Sequence, residues 1–374
     1  MWDHKYLLRI DFRLIAIIFM LMGISLLVIS SVTKDPSSDN VLTPFVKNQM
    51  QWFFLGGLVF IFFAGVDYHK FLQWSWLLYA LVIIMLLGLF LTKPIVSVHR
   101  WYRLPIIGIG VQPSEYTKLI LVMCLGWFLE KKGNEVSTLG TAFQVSVIVG
   151  LPFLLILKQP DLGTALVLYP IALVMFYFGR IHKFVIRVGT TFGLVGVFVV
   201  VLFFSGMLPH EKMRPFFTHF MKEYQYERLN PESYHQKAAL TSIAAGGLTG
   251  SGWNKSEFAS RQWLPAAHTD SVFAVFGEEF GFIGLLILLF LFYIMIYLCI
   301  HVVTVAKDHY GRLLSSGIAV YLTMHILVNC AMMCGFLPIS GVPLLLVSYG
   351  GSSVVTTMAA LGILQSVYTR RFMF

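Results

Sequence analysis

Long apolar blocks set the pattern of this chain. Leu14 to Val32, Trp74 to Leu91, Phe184 to Phe204 and Phe282 to Val303 each run close to the ~20 residues that carry a helix across ~30 Å of hydrocarbon. Followed along the whole sequence, the pattern predicts spans at 12–32, 48–66, 72–92, 114–130, 141–158, 163–179, 184–206, 275–304, 313–336 and 344–368. The connections are short except for 207–270, which retains Phe216, Phe217, Tyr224, Tyr226, Trp253 and Trp263. Structureless loops beyond roughly 15 residues are uncommon, so this one is expected to be ordered and to hug the membrane. The predicted fold class is all-α: a polytopic membrane protein of about ten transmembrane helices, one domain over 1–374, with a long extracytoplasmic loop at 207–270 between helices 7 and 8.

Composition strengthens that reading. Hydrophobic residues make up 57% of the 374 and charged residues only 12%, against roughly 25% charged in a soluble domain. So few charges cannot cover a water-soluble surface. The net charge of +9 would suit a nucleic-acid partner, but its distribution excludes one. Lys5, Arg9, Arg13, Lys70, Lys131, Lys132, Arg180, Lys183, Arg187, Lys307, Arg312, Arg370 and Arg371 fall at the termini and in alternate short connections. That asymmetry places both termini in the cytoplasm and the 207–270 loop outside. The first apolar block follows a basic start, as a signal peptide would, yet it has signal-anchor length and lacks a small-x-small cleavage site, so it is read as a retained span. Cys124, Cys299, Cys330 and Cys334 all fall within spans and imply neither a disulfide framework nor a metal site.

The candidate chemistry gathers at the outer ends of the spans. Asp270 closes the string Leu264-Pro-Ala-Ala-His-Thr-Asp270, just before an apolar run. Its position suits an N-cap, which accepts orphan backbone N–H groups, and equally a general base whose pKa partial desolvation raises toward the working range. Glu278 and Glu279 are adjacent, point in different directions on a helix and make a poor dyad. Glu115 and Lys118, at i and i+3, share a helix face, either as a structural ion pair or facing substrate. Arg100 and Arg103 precede that helix, and Asp161 lies in the connection Lys158-Gln-Pro-Asp-Leu-Gly-Thr164. Arginine at such a place either snorkels to the interface or binds phosphate through its planar fork.

The run Gly246-Gly-Leu-Thr-Gly-Ser-Gly252 lacks the Lys-Ser/Thr ending of a phosphate loop, and close backbone packing or turn formation explains it better. Ser348-Tyr-Gly-Gly-Ser-Ser353 interrupts the tenth span, which fits backbone that lines a cavity or is buried in protein. None of the 11 histidines falls in an HExxH pattern, and no Ser-His-Asp triad can be assigned, so zinc and serine hydrolysis are unsupported.

Taken together, Arg100-Trp101, Gln112-Pro-Ser-Glu115 with Lys118, Gln159-Pro-Asp-Leu-Gly-Thr164, Gly246-Gly-Leu248 with Gly250 and Gly252, His268-Thr-Asp270, Glu278-Glu279 and Leu337 through Ser353 resemble the SEDS (shape, elongation, division and sporulation) family over most of the chain. The likeness is closer to its rod-shape branch than to its division branch. It implies a SEDS-like membrane domain and a glycosyltransferase that polymerises lipid II, the undecaprenyl-pyrophosphate-linked precursor, on the outer face of the cytoplasmic membrane.

On that likeness Asp270 is the catalytic base of an inverting displacement. Arg100, Glu115, Lys118, Asp161, Arg214, His268, Thr269 and Ser348 are substrate-binding candidates, with Arg100, Lys118 and Arg214 stabilising the departing pyrophosphate. No cofactor is implied with certainty. A divalent cation, Mg or Mn, is the alternative source of that charge, without an assigned metal ligand. The implied partner is a class B penicillin-binding protein. The sequence departs from the family pattern at Ala238-Ala239, at Ala266-Ala267 and at Ser271. A lipid II flippase or other transporter, and a non-catalytic scaffold for wall assembly, are the alternative readings.

Overall fold

The computed structural model describes residues 9–34, 41–92, 100–103, 110–208, 210–218 and 223–371, so Lys5 lies outside the described residues. Its membrane-length helices are α1 (Phe12–Thr33), α2 (Pro44–Gly65), α3 (Lys70–Leu89), α4 (Pro113–Lys132), α5 (Leu139–Lys158), α6 (Leu162–Phe178) and α7 (Lys183–Phe204). Four shorter helices follow: α8 (His210–Phe217), α9 (Glu223–Glu227), α10 (Tyr234–Ala245) and α11 (Glu257–Ser260). The chain then returns through α12 (Val272–Val305), α13 (His309–Met333) and α14 (Gly351–Thr369). Two short strands, β1 (Tyr102–Arg103) and β2 (Gly110–Val111), pair antiparallel beside α4.

Helices α1, α3, α5, α7, α12 and α13 are long and apolar enough to cross a bilayer by length and composition alone. The more polar α14 is kept from lipid by its neighbours: it runs along α2, touches α4, α12 and α13, and is buried over nearly its whole length. Close approach is possible because Gly362 faces the Phe60 backbone, where a Cβ would lie 2.7 Å from the carbonyl oxygen. Small residues at such crossings bring helices together where lipid offers no hydrophobic drive. At the opposite rim α7 stands against α6 with its apolar window entirely unburied.

Helix starts follow capping chemistry. Thr43 and Pro44 open α2, four residues before the expected start, because the threonine hydroxyl accepts from Val46 N and the proline needs no partner at N1. Thr138, Asp161 and Asp308 cap α5, α6 and α13 in the same way. At the end rich in Lys and Arg, Arg370 is buried and donates to the carbonyls of Ala64 (3.3 Å) and Gly65 (2.8 Å), closing α2.

Two spans differ from the apolar pattern. The tenth begins at Gly351, not 344, because residues 337–350 form an irregular strap containing Pro338, Gly341 (φ 77°), Pro343 and Leu346 (φ 61°). Backbone without a helix must find partners inside protein. Ser25 of α1 donates to Val347 O (2.8 Å), and Gln49 of α2 donates to Ser348 O (3.3 Å) while accepting from Gly350 N (3.4 Å).

The eighth span is broken at Gly281 (φ 65°). The break releases the N–H groups of Phe282 and Ile283, which donate to Gly247 O (2.9 Å) and Leu248 O (3.1 Å). Ser251 N and Gly252 N return bonds to the carbonyls of Glu278 and Glu279, both 2.9 Å. The two backbones touch here, and a Cβ on Gly250 would overlap the Glu279 carbonyl. The glycine run is thus a packing and turn element, as its residue order implied.

Candidate active site

Asp270 sits in the turn that leads from the 207–270 connection into α12. Ala266, at φ 51°, starts the turn: its carbonyl accepts from Thr269 N (3.0 Å) and Ser271 N (3.2 Å). The Ser271 hydroxyl donates to Pro265 O (2.8 Å) and lies 2.8 Å from His235 Nε2 of α10. The strap closes over the other side. Ser348 Oγ donates to Thr269 O (2.5 Å) and accepts from Leu344 N (2.8 Å), while Tyr349 N donates to His268 O (3.0 Å). The His268 ring meets Phe45 at 5.1 Å and Tyr349 at 5.9 Å. Ser348 and Thr269 therefore build the turn, and His268 is half-buried beside it.

The position of Asp270 before a helix suggested a cap, and the structure corrects this. Ser271 occupies the N-cap of α12 without a side-chain cap bond. The Asp270 carboxylate accepts no hydrogen bond among the described residues; only its backbone carbonyl is held, by Asn329 Nδ2 at 3.0 Å. Burial pushes this carboxyl up to about 6 and nearby Asp161 adds to the shift, while Arg228 and Arg100 pull in the opposite direction. It is a half-buried carboxyl whose oxygens take no described donor, with Arg228 and Arg100 near enough to act on its charge. Such a group accepts a proton from a hydroxyl held against it.

Asp161 belongs to the same cluster but is fully engaged. It caps α6 through Thr164, and its Oδ2 accepts from Ser114 (3.0 Å), Gln112 (3.2 Å) and the Thr164 hydroxyl (2.9 Å). The two Gln-Pro strings thus meet at one buried carboxylate. Arg100 reaches the same connection, donating to Gln159 O (3.2 Å) and Pro160 O.

Lys118 and Glu115 lie deeper. Lys118 is 0% exposed, donates to Glu115 Oε1 (2.7 Å), contacts His325 Nε2 and lies 5.4 Å from the centre of the Tyr321 ring. The geometry is that of a buried ion pair, the structural alternative for these two residues, and no described contact brings Lys118 to Asp270. Arg214 is exposed and pairs with Glu223, and no described contact brings it to Asp270.

Glu278 and Glu279 are buried organisers of the loop. Glu278 accepts from Ser242 (2.9 Å), Ser256 (2.6 Å), Glu257 N (2.7 Å) and Phe258 N (3.3 Å), and Glu279 accepts from Ser31 and Asn254 N (3.1 Å). At the departures from the family pattern, Ala238, Ala239 and Ala267 are buried packing positions and Ala266 is exposed.

Residue reading missed Arg228, His325 and Asn329. The last two had a signal, as polar side chains inside an apolar span, where such residues face protein or a cavity. Arg228 had none, because nothing local says how the 207–270 connection folds back. Among the described residues no three His, Cys, Asp or Glu side chains converge as a metal site.

The sequence pattern of the cell cycle protein family named for FtsW, RodA and SpoVE matches residues 9–372. The peptidoglycan glycosyltransferase MrdB of Escherichia coli (strain K12) is 30% identical, the match covering 100% of this chain and 96% of that protein. Stage V sporulation protein E of Bacillus subtilis (strain 168) is 31% identical over 96% of each chain. Among solved structures, a chain from a study described as "Structural coordination of polymerization and crosslinking by a peptidoglycan synthase complex" superposes with a TM-score of 0.75 at 25% identity, covering 98% of this chain and 99% of that one. The rod shape determining protein RodA of Thermus thermophilus shares the fold, with a TM-score of 0.69 at 24% identity over 97% and 98% of the two chains.

Proposed function

The chain belongs to the FtsW/RodA/SpoVE family of cell cycle proteins, and from that premise we propose that it is a peptidoglycan glycosyltransferase of the bacterial cytoplasmic membrane, polymerising lipid II into β-1,4 glycan strands. The observation that carries the reading is Asp270: a desolvated carboxyl beside Arg100 and Arg228, with no hydrogen bond to its oxygens among the described residues. It takes the proton from the 4-hydroxyl of the acceptor GlcNAc as that oxygen attacks C1 of the donor MurNAc. The C1–oxygen bond to pyrophosphate breaks with its electron pair leaving on undecaprenyl pyrophosphate. The α-linked donor gives a β-linked product in one inverting displacement. Arg100 and Arg228 meet the charge that develops on the leaving group, and a divalent cation, Mg or Mn, is the alternative supply.

Orientation follows from charge. The helix ends opposite Asp270 carry Lys70, Lys131, Lys132, Arg180, Lys183, Lys307 and Arg312, so that end is cytoplasmic and Asp270 faces the exterior. The partner is a crosslinking transpeptidase of the class B penicillin-binding type, by likeness to the complex described as coordinating polymerization with crosslinking.

The test is polymerisation of labelled lipid II by the purified chain, with and without that transpeptidase, and with Mg, Mn or a chelator. Wild type is expected to make long strands, and Asp270→Asn to lose about 10²–10⁴-fold in rate. Polymer at wild-type rates from that variant rejects the assignment. Labelled lipid that crosses sided proteoliposomes independently of Asp270 marks a transporter instead. Strands made by the chain alone speak against a scaffold.

A further inference from the structure

No described hydrogen bond holds the Asp270 carboxylate in place, so its aim must come from its backbone and from what lies against it. One side chain reaches both. Asn329, in α13 and 0% exposed, donates from Nδ2 to Asp270 O (3.0 Å) and to Val342 O in the strap (2.7 Å). Its Oδ1 has no partner among the described residues. Chemistry fixes which way the amide faces, because a flipped amide would set oxygen against two carbonyl oxygens. The residue before Val342 is Gly341, at φ 77°, and a Cβ there would stand 3.5 Å from Asp270 Oδ2. The same amide therefore anchors the carboxylate's own backbone and the strap one residue beyond the bare Gly341 that borders it.

One helical turn deeper on α13, His325 contacts Lys118, which pairs with Glu115 of α4. That buried contact ties α13 to α4 and fixes the height at which Asn329 is presented. We propose that Asn329 is a positioning residue for glycosyl transfer, holding Asp270 and Gly341 in register so that the acceptor hydroxyl meets the carboxylate in attack geometry. The inference rests on Asp270 being the base. It concerns kcat rather than lipid II binding, because Asn329 has no exposed surface with which to touch substrate.

The experiment uses the full chain in detergent with lipid II, and measures kcat, KM, the pH midpoint of the rate and the thermal midpoint for Asn329→Asp, Asn329→Ser and Asn329→Gln. Asn329→Asp keeps the shape and has no donor when ionised and a single O–H donor when protonated, Asn329→Ser keeps one shorter donor, and Asn329→Gln keeps the amide. A misplacement of about 1 Å costs on the order of 100-fold in rate. Asn329→Asp is therefore expected to lose about 100-fold in kcat per folded molecule, with KM within about twofold of wild type. In Asn329→Ser, which adds no charge beside Asp270, the pH midpoint should fall from near 6 toward the ordinary carboxylate range, as the loosened turn lets water reach Asp270. Asn329→Gln is expected to recover part of the rate, and Asn329→Ser to fall between.

Wild-type kcat in folded Asn329→Asp or Asn329→Ser overturns the inference. So does a rate loss that only tracks the folded fraction, with the pH midpoint unmoved. Should Asn329→Asp not fold, the Asn329→Ser and Asn329→Gln rates decide by the same criteria. Asp270→Asn runs alongside: if it polymerises normally, the base assignment fails and takes this inference with it, whereas an inactive Asp270→Asn with fully active Asn329 variants overturns the inference alone.

Discussion

At the scale of single residues, the chemistry turns on how a carboxylate is left unbonded. Asp161 and Glu278 are buried acids whose oxygens are taken by hydroxyl and amide donors. Asp270 is half-buried and no described donor takes its oxygens, so desolvation dominates and its pKa rises to about 6. As the proposed base, Asp270 acts in its ionised form. The logarithm of kcat/KM against pH is thus expected to rise with unit slope below about 6 and to level off above it. A flat profile between about pH 5 and 8 removes Asp270 from the proton transfer.

The same shift makes a statement about stability. A carboxyl whose folded pKa lies above its unfolded value favours folding while protonated, and that contribution is lost as pH rises through the folded value. At about pH 7.5 the ionised carboxylate is therefore a cost, and the thermal midpoint of Asp270→Asn should equal or exceed that of wild type, while the proposed role predicts that activity is lost.

At the scale of elements, the break in α12 matters most, because it builds the wall behind the loop. Gly281 ends one helical run, the freed N–H groups of Phe282 and Ile283 find Gly247 and Leu248, and Glu278 gathers the N-terminus of α11. Two glycines of the loop separate strain from crowding. At Gly247 (φ 55°) a methyl group would project into open space, with no atom within 4 Å, whereas Gly250 (φ 82°) lies against the Glu279 backbone. Left-handed backbone alone costs a non-glycine residue about 1–3 kcal/mol. Gly247→Ala is expected to show that loss, and Gly250→Ala a larger one with proteolysis appearing in 246–258, as read by thermal unfolding and limited digestion. Equal effects of the two substitutions contradict the backbone contact.

For the whole molecule, the Glu115–Lys118 pair with His325 joins α4 to α13 in the centre of the bundle. A buried pair is a weak source of net stability, yet removing one partner strands a charge and costs about 3–5 kcal/mol. Lys118→Met is expected to lose about that much, and the double variant Lys118→Met with Glu115→Leu to recover most of it. A double variant that also recovers polymerisation places the pair in the architecture. One that is stable but unable to bind lipid II would return Lys118 to the substrate.

The sequence alone determined the all-helical, polytopic character and the approximate limits of the long helices, the polar interruption before α14 and the candidacy of Asp270. A segment facing lipid must satisfy its own backbone, which a long apolar helix does, and the uneven Lys and Arg distribution groups the helix ends. The glycine run was also readable as packing, since it lacked the residues that hold phosphate. What the tertiary structure decided is which polar groups spend their hydrogen bonds on the protein. Lys118 is taken by Glu115 and His325, Ser348 by Thr269 and Leu344, and Asp161 by Gln112, Ser114 and Thr164. Arg228 reaches the site only through the fold of a connection that periodicity does not describe, and Asn329 matters only because two carbonyls distant in sequence converge on it. Apolar periodicity is local and survives in one dimension; hydrogen-bond satisfaction belongs to pairs of residues that only folding brings together.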